Sequence, residues 1–125
     1  MSYLNDMDDL AHTLHAHAKR QGFYEPYDHI DEADYVVFYL KQLAMIHSEV
    51  TEVLEAIRKE QGDDKVVEEL ADILIRVLDF WAFLNETGYT RNSLSNALNL
   101  KVEANKQREW RHGVLAWASN KFLHN

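Results

Sequence analysis

Two acidic pairs, Glu49-Val-Thr-Glu52 and Glu69-Leu-Ala-Asp72, carry the clearest chemistry in this chain. Inside a helix, a three-residue spacing puts both carboxylates of a pair on one face, about one turn apart. Like charges so placed repel, and carboxylates beside apolar neighbours resist losing their water. A positive group is needed to hold them. Oxygen ligands from Glu49, Glu52, Glu69 and Asp72 on two facing helices suit a hard divalent cation such as Mg²⁺, with Mn²⁺ as its substitute. Farther along, Lys101, Asn105 and Arg108 stand at i, i+4 and i+7 and project from one side of a helix. Lys and Arg hold phosphate oxygens, and Asn can bond a phosphate, sugar or base. Acidic pairs and basic stripe together fit a metal-bound di- or triphosphate.

Glu is a good helix former, so a single E-x-x-E is common on solvated helices. Recurrence on consecutive amphipathic segments lifts these pairs above that background. Di-iron bundles also use helix-borne carboxylates, but they require Glu-x-x-His pairs. His47 does not stand in that relation to an acid, and neither acidic pair has a His at that spacing, so the expected ion is redox-inert and oxygen-ligated. His12, His15 and His17 share one segment without an accompanying acidic or Cys pattern, and are not expected to bind metal.

The elements that must position these groups follow from periodicity. A helix is expected over 5–21, with Leu10, Leu14 and Ala18 as its core stripe and Gly22 as its cap. The segment 22–28 reads as a loop around Pro26, its aromatic rings either anchored to the core or covering a ligand. Over 31–60 the pattern is helical with room for a bend near its start, and Leu43, Ile46, Val50, Val53, Leu54 and Ile57 share one arc. After the turn Gln61-Gly-Asp-Asp, a third helix covers 64–86, and Leu70, Ile73, Leu74, Val77, Trp81 and Leu84 form its expected buried face. Glu69, Asp72, Arg76 and Asp79 occupy the remaining sector, lining a pocket or a subunit contact. Arg76 and Asp79 are candidate supports for the ligands, with an Arg76–Asp79 salt bridge as one arrangement and metal ligation by Asp79 as the other. A fourth helix over 93–111 continues an apolar stripe through Leu94, Leu98 and Val102. The architecture is a single all-α domain over 1–125, a bundle of about four helices.

At 125 residues, with four Gly and one Pro, long helices are favoured over many short strands. With no Cys, disulfides and thiolate metal sites are excluded. A formal charge of −8 disfavours general nucleic-acid binding. The first residues lack the basic start and apolar run of a signal peptide, and no stretch approaches the roughly 20 apolar residues that span a bilayer. No membrane association and a cytoplasmic location are the resulting expectations.

In its ordered blocks the sequence resembles the MazG-like, all-α nucleoside triphosphate pyrophosphohydrolases. The blocks are Lys19-Arg-Gln-Gly-Phe-Tyr24; the E-x-x-E element within 43–56; the E-x-x-D element within 68–79 with its downstream Arg76 and Asp79; and Lys101-Val-Glu-Ala-Asn-Lys-Gln-Arg108, followed by His112-Gly113. The resemblance implies hydrolysis of an NTP or dNTP to the monophosphate and pyrophosphate. By motif matching, Glu49, Glu52, Glu69 and Asp72 are the Mg²⁺ ligands, while Lys101, Asn105 and Arg108 contact the nucleotide. It also implies a homodimer or dimer of dimers that completes the bundle. One departure is that Gly113 is followed by Val114-Leu-Ala-Trp117, where the family often has a Lys. Glu52 is the candidate general base, and Phe23, Tyr24, Phe83 and Asn105 are candidate selectivity groups. The alternatives are a non-catalytic nucleotide-binding or oligomerisation module, and a structural role in which the acids pair with Arg76 or Lys101.

Overall fold

The first three helices end in the same left-handed cap. After α1 (Ser2–Arg20), Gly22 has φ +86° while its N–H and that of Phe23 reach back to the carbonyls of Lys19 and Ala18 at 3.0 and 3.1 Å. After α3 (Asp63–Glu86), Gly88 has φ +83°, and Tyr89 N–H closes onto the Leu84 carbonyl at 2.9 Å. Glycine adopts this backbone without a Cβ penalty, and the returning N–H groups satisfy carbonyls that the helix leaves open. After α2 (Tyr35–Arg58), Glu60 takes the same role at φ +52°.

The computed structural model describes residues 2–108. Among them the chain is all-α, with four helices and no strand. Between α1 and α2 lie two short 3₁₀ turns, Glu25–His29 and Glu32–Asp34, so the expected helix start at 31 gives way to α2 beginning at Tyr35. α3 packs against both α1 and α2, and α4 (Leu94–Lys106) packs on α1. Asp8 of α1 fixes that last contact. Its carboxylate accepts from Ser95 N and Ser95 Oγ, both at 2.9 Å, and from Ser93 Oγ. Ser93 Oγ in turn caps Asn96 N at 3.1 Å, satisfying donors at the helix start. The expected continuation of α4 over 109–111, His112-Gly113 and the segment 114–117 lie outside the described residues.

Two apolar clusters hold the helices together. Phe83 centres the first, with the rings of Tyr24 and Tyr27 each 4.8 Å away, Phe38 at 5.4 Å and Tyr39 at 5.5 Å. Ala11, Leu78 and Ala82 form the second, against Leu14, Trp81 and Leu94. The expected anchoring of the 22–28 loop is seen in Tyr24 and Tyr27, whereas Phe23 is exposed.

The helix faces differ from the expected ones. On α3 the buried residues are Glu69, Leu78, Ala82 and Phe83, while Leu70, Leu74 and Val77 are exposed. On α2, Phe38, Tyr39 and Ala56 are buried, and Leu43, Val50, Leu54 and Ile57 are exposed. On α1, Ala11 and His15 are buried in place of Leu10. Leu74 and Leu54, both 61% exposed, show the size of the difference. The cause is geometric: α1 packs against the side of α3 that carries Leu78, Asp79 and Ala82, so much of the apolar stripes of α2 and α3 points outward within one chain.

Candidate active site

The short turn at 59–62 folds α3 back along α2, bringing the first acid of one pair beside both acids of the other. Glu49, Glu69 and Asp72 each place one carboxylate oxygen within 4.8 Å of the other two. Glu52, one turn beyond Glu49, is exposed and outside this group. Each of two acids has a built-in cation. Arg76 Nε donates to Glu49 Oε1 at 2.9 Å, and Lys65 Nζ lies 2.9 Å from Glu69 Oε1. The bond to Glu69 is the main reason the Lys65 pKa is raised. For Asp72, burial and then the charges of Glu49 and Glu69 raise the pKa, outweighing the pull of Arg76.

A cavity of about 590 Å³ opens beside this cluster, between α1, the loop after it, α2 and α3. Glu49, Asp72, Arg76 and Asp79 form its polar wall, with Phe23, Tyr24 and Met45 among the apolar lining. Asp79 does not form the salt bridge with Arg76 that was one of its two expected arrangements. It accepts from His15 Nδ1 at 2.8 Å and from the Tyr24 hydroxyl. The reason is packing: α1 brings His15 against this side of α3, and the Gly22 cap turns Tyr24 in beside it. Burial, then the bond to Asp79, drive the Tyr24 pKa well above its ordinary value. His15 Nε2 also faces Glu86 at 3.8 Å, and Glu86 binds Lys19 at 2.9 Å.

The basic stripe stands apart. Lys101, Asn105 and Arg108 are exposed, and no α4 residue lines the cavity. Phe83 also does not line it, being committed to the aromatic core. Lys41 and Gln42, on the lining two turns before Glu49, were missed by sequence reasoning. Their spacing from Glu49, with Met45 between, was the available signal, since i−8, i−7 and i−4 share a helix face.

Three carboxylates without sulfur or imidazole form a donor set that fits a hard, oxygen-coordinated dication and disfavours a soft metal. In an all-α fold, these carboxylates stand beside a part-aromatic cavity, a site able to hold a hard dication. The family model described as "MazG nucleotide pyrophosphohydrolase domain" matches residues 39–108, more than half of the chain, and the protein belongs to that family. No curated protein and no solved structure matches it. Among the described residues, no helix is long and apolar enough to cross a membrane.

Proposed function

We propose that the protein is a Mg²⁺-dependent nucleoside triphosphate pyrophosphohydrolase, with Mn²⁺ as substitute, converting an NTP or dNTP to its monophosphate and pyrophosphate. The meeting of Glu49, Glu69 and Asp72, with Glu49 and Asp72 on the cavity wall, carries this reading. Those three residues hold the cation, with Glu52 joining from the next turn of α2 or serving as base. When bound, Mg²⁺ offsets phosphate charge and acidifies water. A water oxygen bonds to the α-phosphorus, the bond from that phosphorus to the α,β-bridging oxygen breaks, and pyrophosphate leaves with the electron pair. The water proton passes to a carboxylate, for which Glu52 is the choice because it stands outside the tight cluster. The nucleoside occupies the cavity, with Phe23 and Tyr24 on its wall.

Lys101, Asn105 and Arg108 reach the phosphates from a second copy of the chain. Supporting this, the exposed apolar stripes of α2 and α3 leave a surface whose burial between copies would be favourable. The assembly is a homodimer or a dimer of dimers, acting in the cytoplasm on the nucleotide pool.

The ion pairs Arg76–Glu49 and Lys65–Glu69 favour a second reading, in which the acids are structural partners without ligand. Calorimetry separates the two. Specific Mg²⁺ binding supports the enzyme, and no binding with or without nucleotide supports the structural role. Enzymatic function further requires that purified protein release pyrophosphate from a triphosphate panel.

A further inference from the structure

We infer that Arg76 is a transferable cation, which neutralises Glu49 while the acidic cluster is ion-free and binds a phosphate oxygen once a divalent cation occupies that carboxylate. This inference rests on the proposed triphosphate site. Arg76 holds Glu49 through Nε alone, its only hydrogen bond among the described residues. A guanidinium has five N–H donors, so the paired terminal donors that suit a phosphate are not used here. The pair also sits at the rim: the Arg76 side chain is 37% exposed against 18% for Glu49. Both residues line the same cavity.

The other cations near the cluster are placed differently. Lys65 holds Glu69 at 2.9 Å, but does not line the cavity. Lys41 lines it while resting over the Phe38 ring, 5.6 Å from the centroid. Among the described residues, Arg76 alone joins an acid of the cluster to the cavity through an ion pair. A dication on Glu49 repels the guanidinium, and triphosphate charge in the cavity attracts it, so both forces move Arg76 the same way. Metal and phosphate binding therefore strengthen each other, and linkage makes the effect reciprocal.

The test is titration calorimetry on the full chain with Mn²⁺ alone, with inorganic triphosphate in chelator, and with inorganic triphosphate at saturating Mn²⁺. In the wild type, Mn²⁺ tightens triphosphate binding. Arg76→Gln is expected to bind Mn²⁺ alone at least as tightly as wild type, yet to lose about tenfold or more in triphosphate affinity at saturating Mn²⁺. Arg76→Lys, which keeps the charge, recovers part of that loss, and circular dichroism confirms that both variants are folded. Wild-type triphosphate affinity in Arg76→Gln overturns the inference, as does triphosphate binding indifferent to Mn²⁺ in the wild type. Loss of Mn²⁺ binding in both variants also overturns it, by making Arg76 a fixed support of Glu49. A wild type that binds no Mn²⁺ removes the site itself, a distinct result.

Discussion

Burial and two facing carboxylates oppose the charge of Asp72, which has no ion pair of its own among the described residues, so its charged form is held at a cost to the fold. Its pKa is raised above the ordinary 3.8, and a raised value means a contribution to stability that is present below 3.8 and lost as pH rises through the folded pKa. Asp72→Asn should therefore raise the melting temperature of the ion-free protein at neutral pH, with the gain fading toward pH 3.8. Thermal melts in chelator across that range check this. Asp79 acts as a hydrogen-bond acceptor for the buried His15 and for the Tyr24 hydroxyl. Asp79→Ala should cost about 2–3 kcal/mol in urea unfolding, because both partners lose their acceptor. The three-residue spacings made Glu49, Glu69 and Asp72 legible in the sequence. The network of His15, Tyr24 and Asp79 was not, because its members lie 64 and 55 residues apart and meet only through packing. Glu52 shares the spacing rule but not the meeting point, since a second helix approaches only one side of α2.

At the scale of elements, the sequence identified four helices and their order, and its boundaries fell close to the observed ones for α1 and α3. Gly22 was readable as a cap because glycine is the usual residue there. Glu60 was not, since nothing in a Glu side chain signals a left-handed φ of +52°. Replacing it should help: Glu60→Gly is expected to stabilise the fold by about 0.5–1 kcal/mol in denaturant unfolding, as relief of the left-handed strain outweighs the added chain entropy. The Asp8 contact explains why α4 lies on α1 and away from the acidic cluster. Burial raises the pKa of Asp8, but the bonds from Ser93 and Ser95 outweigh it and leave the value lowered. That contribution to stability is present above 3.8 and fades as pH falls through the folded value.

For the whole molecule, helical wheels located the apolar stripes of α2 and α3 but not the direction in which they face. A stripe gives the same pattern whether it meets its own chain or another copy, and here much of it is exposed. If copies share sites, a subunit carrying Asp72→Asn and one carrying Lys101→Ala should each be nearly inactive. Mixing and reannealing them should then restore about a quarter of wild-type activity, because about half of the dimers are mixed and each has one intact site. No recovery on mixing would place each site within one subunit. The proposed chemistry itself is tested most directly by pyrophosphate release with Mg²⁺, compared among wild type, Glu49→Gln and Asp72→Asn. The wild type should release pyrophosphate only with metal, and both variants should lose nearly all release while their helical circular dichroism stays unchanged. Equal turnover in all three folded proteins would contradict that chemistry.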